Sequence, residues 1–315
     1  MIRVALVAAV ALLAAASPAT QVAPGIHVLA GAFVPGSQPD GNTIVLEAPD
    51  GLVVVDTGRH ARHVQAIADF AANAKKPVKA IVNTHWHLDH VGGNAALRDR
   101  FPGVRVFASG ALHDARSGFL ATYHAQLEEM VAKTRDAAAL EGFRAELRLI
   151  DEGARLEPDE VVAKPGRRTI AGLPLEVGLE TYAVTAGDVW LFEPKSRVLV
   201  AGDLVTLPAP FLDTACPPRW QDALDRLALV DFTRLVPGHG EPMTRAAFDT
   251  YRGAFTRLLA CGRSDRPKES CISGWLADAQ ALVPEGERAF TRTLMDYYVG
   301  VLRADPAKTA KLCGR

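Results

Sequence analysis

Between residues 83 and 93 the chain reads NTHWHLDHVGG, which places His85, His87, Asp89 and His90 within six consecutive positions. The segment follows VKAIVNT (78–84), an apolar run that reads as a buried strand. It runs into VGGNAALRDRF (91–101), which reads as the start of a helix. In a turn from strand to helix, residues two apart can face the same way. His85 and His87 can thus converge on one cation while Asp89 and His90 reach a second. Imidazole together with carboxylate suits zinc, or iron or manganese where these are available. A single histidine is most often a satisfied core or surface residue, but four such donors in one turn followed by Gly92-Gly93 point to metal.

The rest of the chain supplies a frame for that turn. GIHVLAG (25–31), NTIVLEA (42–48) and GLVVVDTG (51–58) read as strands, with an Asp-Gly turn joining the last two. Val64, Ile67, Ala68 and Ala71 sit at helical spacing and predict a helix over 60–73, ended by Lys-Pro. VRVFAS (104–109) is the next strand. Residues 122–148 are polar and helix-forming, expected over the outside of the core or beside the site. Short strands resume with RRTIAG, LPLEVGLE, VWLFEP and RVLVAGD, and a helix over 220–230 leads to TRLVPGHGEP (233–242). Two successive sets of strands and helices predict an α/β (α+β) domain of two packed sheets with helices outside. From about residue 244 the chain reads as a helical extension.

The first residues, MIRVALVAAVALLAAASPA, combine Arg3, an apolar run over 4–16 and small residues at Ala16, Ser17 and Ala19. The run is shorter than the ~20 residues a bilayer span needs. It reads as a secretory signal peptide over 1–19, with a retained membrane anchor as the alternative. Secreted or periplasmic localisation follows, with no stable membrane insertion after cleavage. The four cysteines fit export and permit three pairings. Cys261 and Cys271 are close enough to close a small loop, which leaves Cys216 for Cys313; four unpaired thiols are the other reading. No C-x-x-C spacing is present, which argues against a thiolate zinc knuckle. A net charge of −1 gives no reason to expect nucleic acid as a partner. The 49% apolar and 23% charged composition excludes a disordered or coiled-coil chain.

H-x-H-x-D-H after a hydrophobic strand resembles the signature of the metallo-β-lactamase-fold hydrolase superfamily, and the likeness runs over about residues 25 to 242. It implies a four-layer αββα sandwich over 24–243, followed by a helical extension with cysteines over 244–315. Asp56 in VVVDTG corresponds to an aspartate that orients the histidine loop from beneath. Asp203 in LVAGDL matches a bridging aspartate, and His239 in VPGHG the last histidine ligand. One motif departs. Where the family carries A-H-T-x-G-D, this chain has Ala183-Val184-Thr185-Ala186-Gly187-Asp188, and no histidine lies between His124 and His239. The resemblance therefore implies one site of His85, His87 and Asp203 that is an imidazole short, and one of Asp89, His90, His239 and Asp203 that is complete. One zinc ion is expected at the complete site; a second depends on a substitute ligand such as His113 or His124.

The implied activity is hydrolysis of an ester, thioester, lactone or lactam in a small-molecule substrate by a hydroxide held on metal, with Asp89 as ligand and proton acceptor. Asp203 argues against the β-lactamase subclass that uses cysteine there. Branches acting on oxidised sulfur and on nucleic acids need further motifs that are not seen. A looser resemblance is to exported relatives associated with quinoprotein dehydrogenase systems. The alternative function is a metal-binding accessory or sensor protein with little turnover. His60 and His63 are expected on an exposed helical face, and His27 carries no motif. Thr185, Asp188 and Asp213 either line the site or serve as turns and caps. Phe33, Pro35 and Gly36 form either a flap or a plain loop.

Overall fold

The computed structural model describes residues 19–32, 38–304 and 306–314. The leader before Ala19 and the segment with Phe33, Pro35 and Gly36 lie outside the described residues. The first half of the chain builds β1 (Thr20–Ala23), β2 (Ile26–Leu29), β3 (Thr43–Ala48) and β4 (Gly51–Val55), which pair antiparallel in that order. Helix α1 (Ala61–Ala74) then returns the chain to β5 (Val78–Val82), parallel to β4. The turns α2 (Leu88–Val91) and α3 (Asn94–Arg100) lead to β6 (Arg105–Ala108). Three further helices follow: α4 (Ala111–Ala115), α5 (Ala121–Lys133) and α6 (Ala137–Asp151). The short β7 (Glu160–Val161) closes a seven-stranded sheet in the order β1 to β7. The polar stretch read as one helical region is thus two helices. Asp136 caps the second, its side chain accepting from the Ala139 amide at 2.7 Å.

The second half lays down β8 (Gly166–Ile170), β9 (Leu173–Glu180), β10 (Asp188–Glu193) and β11 (Val198–Thr206) as an antiparallel meander. Helix α7 (Pro217–Leu227) crosses to β12 (Arg234–His239), which pairs parallel to β11, and β13 (Met243–Thr244) completes a six-stranded sheet. The chain ends in α8 (Arg245–Gly262), α9 (Lys268–Asp278), α10 (Arg288–Arg303) and α11 (Pro306–Leu312). Among the described residues, no helix is long and apolar enough to cross a membrane.

Alternation along the strands builds the layers. Ile44, Leu46, Val53 and Val55 face inward and meet Val177, Leu191, Val200 and Val236 of the second sheet. Val45, Leu52, Val54 and Ile81 face outward, under Val64, Ile67 and Ala71 of α1. On the far side Leu199, Ala201 and Leu235 carry Trp220, Phe248, Phe255 and Trp275 from the later helices. The result is the αββα sandwich that the sequence implies. The C-terminal helices are continuous with its outermost layer: fully buried Trp275 donates from Nε1 to the Pro208 carbonyl at 3.0 Å.

Both disulfides take the expected pairing, Cys216 with Cys313 and Cys261 with Cys271. The first spans 97 residues and the second 10. Loop-closure entropy grows with the logarithm of loop length, so the long bridge restricts the unfolded chain more. Cys313→Ser is therefore expected to lower unfolding free energy by about 2 kcal/mol more than Cys261→Ser. Denaturant unfolding of the two variants measures this, and equal losses would contradict the account.

Candidate metal centre

The site lies where strands of the two sheets end side by side. Asp56 follows β4, His85 and His87 follow β5, Asp203 lies in β11, and His239 ends β12. Asp56 is the hinge of the arrangement. Its φ of 60° is unusual for a residue other than glycine. Three donors hold it there: the Thr84 amide and hydroxyl, each at 2.7 Å, and His90 Nδ1, also at 2.7 Å. The Thr84 hydroxyl has one proton and gives it to Asp56, so its oxygen accepts from His85 Nδ1 at 3.0 Å. Both His85 and His90 thus keep a proton on Nδ1 and turn Nε2 toward the centre.

What those nitrogens meet is the informative observation. His90 Nε2 lies 3.3 Å from His239 Nε2 and 3.3 Å from Asp203 Oδ1, and His239 Nε2 lies 3.0 Å from Asp89 Oδ2. Neither carboxylate oxygen of buried Asp203, nor Nε2 of buried His85, has a hydrogen-bond partner among the described residues. Buried lone pairs gathered without donors are costly unless a cation sits among them. The spacing also fits. Donors 2.0–2.1 Å from a tetrahedral ion stand about 3.3 Å apart. Two sets qualify: Asp89 with His90 and His239, and His85 with His87 and Asp203. The second set is looser, with His85 Nε2 3.7 Å from Asp203 Oδ2. Glycine lets the backbone in close: a Cβ on Gly238 would stand 2.0 Å from Asp203 Oδ1, and one on Gly41 would stand 2.4 Å from the His90 ring.

Charge favours the same reading. Burial opposes a charge on His90, yet Asp203, Asp56 and Asp89 outweigh it and pull its pKa well above the ordinary value. A cluster that forces positive charge onto an imidazole has an excess of carboxylate that a divalent ion would balance. Burial, with help from neighbouring histidines, keeps His85 well below its ordinary pKa and His87 below it, so both are neutral and able to ligate. Burial also opposes ionisation of Asp89, but His90, Arg59 and His239 hold it well below the carboxylate range.

Val184 occupies the departing position, fully buried within the apolar cluster that also holds Leu204, Leu212 and Ala215. Its backbone nonetheless serves the site. Its carbonyl accepts the Thr214 hydroxyl proton at 3.0 Å, so the Thr214 oxygen accepts from His87 Nε2 at 2.9 Å. His87 is thereby left with a bare Nδ1 (the opposite nitrogen from His85). Asp188 proves to be a turn cap. It accepts from the amides of Val184 and Thr185 and from the Thr185 hydroxyl, while burial pushes its pKa up to about 7.

His113 and His124 do not fill the gap: they pair with Glu157 and Asp151 on the outside of the fold, and neither belongs to a metal-holding group. The expectation of exposed histidines on α1 fails for His63. It packs over Gly58, and its Nε2 lies 2.8 Å from the Thr43 hydroxyl. His60 precedes the helix with Nδ1 on Asp40 at 2.9 Å, and His27 pairs with Glu47. The motifs also leave unmarked a buried ion triad, in which Arg59 reaches Asp89 Oδ1 at 3.2 Å and Glu146 at 2.7 Å. Only the position of Arg59 directly after VVVDTG hinted at it.

The chain belongs to the metallo-beta-lactamase superfamily, whose family profile matches residues 37–239. It is 30% identical over 227 residues to a linear primary-alkylsulfatase from a Pseudomonas species, covering 64% of this chain and 41% of that one. Over 56 residues it is 43% identical to a hydroxyacylglutathione hydrolase from Thermosynechococcus vestitus, 18% of this chain and 21% of that one. The chain thus spans less than half the length of these relatives. A solved metallo-beta-lactamase from Pontibacter korlensis superposes with a TM-score of 0.55 at 22% identity, over 76% of this chain and 98% of that one.

Thr214→Val removes the acceptor that keeps His87 in its ligating tautomer. Orienting partners of this kind are worth about 10–100-fold in metal affinity. We expect a loss of that size in a chelator-competition titration, confined to the weaker class of site. Unchanged affinities would show that Thr214 does not orient His87.

Proposed function

We propose that the protein is an exported, zinc-dependent hydrolase that cleaves an ester-type bond, the class spanning esters, thioesters, lactones and lactams. The observation that carries this reading is the convergence of six ligand-type side chains, five of them buried, with His85 Nε2 and both oxygens of Asp203 left without hydrogen-bond partners, in a chain of a hydrolase superfamily. His85, His87 and Asp203 would hold one ion, and Asp89, His90 and His239 another, with Asp203 between the two sets. A bound zinc ion would supply Lewis acidity toward the scissile group and a water acidic enough to lose its proton near neutral pH. The two disulfides support an oxidising compartment.

The chain's own residues divide the remaining work. Of the six donors, His87 and Asp89 alone reach the wall of the adjoining 770 Å³ cavity. Asp89 is thus placed to touch substrate as well as metal, and its Oδ2 is the proton acceptor in this reading. Arg59 takes the other oxygen, fixing the carboxylate in orientation and lowering its basicity. Asp56 holds the tautomers of His85 and His90, directly and through Thr84.

A second reading, an accessory or sensor protein with little turnover, is favoured by one observation: Val184 offers no donor where an imidazole would complete the first set. Metal analysis of the mature protein and a substrate panel separate the two. The hydrolase reading expects metal bound at both sets and turnover of a lactone, thioester, lactam or alkyl sulfate. Sulfate esters join the panel because an alkylsulfatase stands among the relatives, although the sequence motifs had set oxidised-sulfur chemistry aside. No turnover in excess zinc would favour the accessory role. Val184→His is expected to tighten the first site and raise turnover, at a cost of about 1–3 kcal/mol for overpacking a full core. If neither metal content nor turnover changes, the missing imidazole is not what limits the first set.

A further inference from the structure

The cavity beside His87 and Asp89 has a second wall that the superfamily-matched region does not provide. Phe290, Leu294 and Tyr297 line it from α10, more than 45 residues beyond the matched segment, and they face Trp86 and Phe119 across the opening. Phe119, Phe290 and Tyr297 are 48%, 42% and 56% exposed, large apolar side chains that the fold leaves open at one mouth. Apolar surface gathered at a pocket marks a binding function more than a folding one. Tyr297 is also anchored, its hydroxyl donating to Asp213 at 2.6 Å. The charges are already spoken for: Arg59, the only arginine or lysine on the lining among the described residues, is engaged by Asp89 and Glu146. Among the described lining residues, no arginine or lysine is left to neutralise a carboxylate on the distal part of a ligand.

We propose that Phe290, Leu294 and Tyr297, facing Trp86 and Phe119, form the specificity pocket for an extended, uncharged alkyl or aryl group of the substrate. This deepens the hydrolase reading and rests on it: the bond to be cut lies at His87 and Asp89, and the apolar group extends from it toward α10. The volume is of the size that encloses small organic ligands.

The test uses the zinc-loaded full chain and separates binding from turnover. Calorimetric titration with 1-alkanols from butanol to decanol is expected to tighten by about two- to fourfold per added CH₂ until the pocket is filled. An α,ω-dicarboxylate, one end of which must lie distal to the metal, should bind at least about tenfold more weakly than the monocarboxylate of equal length. Phe290→Ala/Tyr297→Ala should flatten the series with metal content unchanged, and both side chains are exposed enough for the variant to fold. Leu229→Ala, at an 85% exposed position outside the cavity lining, should leave the series as it is. A flat wild-type series, a slope that survives the double substitution, or equal affinity for the dicarboxylate and the monocarboxylate would each overturn the proposal. In parallel, 4-nitrophenyl esters from acetate to octanoate test turnover. Graded alkanol binding without cleavage of any substrate class refutes the hydrolase reading, and with it the assignment of this pocket to a substrate. Cleavage without chain-length dependence refutes the pocket alone.

Discussion

The buried carboxylate of Asp56 is the interaction on which the centre depends. It sits at the end of a strand in a strained left-handed conformation and accepts from the backbone and hydroxyl of Thr84 and from His90. Those three bonds decide where the protons of two imidazoles reside, and therefore where their lone pairs point. They also bind the end of β4 to the turn after β5, so the histidine loop inherits the rigidity of the sheet. Removing that carboxylate would leave Thr84 and His90 with buried donors unpaired, a cost borne by the same loop that presents the ligands.

The second half of the centre comes from a different sheet, and Asn42 ties the two together at backbone carbonyls. Asn42 donates to the carbonyls of Pro237 and Gly240, and its amide donates to Gly238. Gly238 in turn lies against Asp203, where a side chain would collide with the carboxylate. Asp89, His90 and Asp56 from one sheet are thereby held against Asp203 and His239 from the other, with both oxygens of Asp203 left free of hydrogen bonds. That freedom leaves their lone pairs directed at a common point.

The fold was legible in the sequence because its signals are local. Alternation in NTIVLEA and GLVVVDTG, the periodic face of Val64, Ile67 and Ala71, and the His85–His90 cluster each declare themselves within a few residues. The layer order follows from them. What escaped is pairing across distance. Nothing near Arg59 announces Glu146, 87 positions away, and nothing near His87 announces Thr214, 127 positions away. His63 escaped for a related reason: its polarity suggested solvent, but Gly58 opened a niche beneath it and Thr43 supplied a partner. Val184 was visible as a substitution. That its carbonyl still serves His87 through Thr214 was not, because a backbone group has no residue type.

Val184 and the C-terminal helices are parts of one arrangement. The apolar cluster that encloses Val184 is the same one that seats Trp220, Trp275 and Met295, so the helices after residue 244 complete the core beside the altered ligand position. Valine joins that core, and the first set keeps only His85, His87 and Asp203 as its donors. Met295 of α10 belongs to the same cluster. The same helix carries Phe290 and Tyr297 to the wall of the cavity. One apolar core thus underlies both the altered ligand position and the helix that lines the cavity, so packing at either is felt through the same set of side chains.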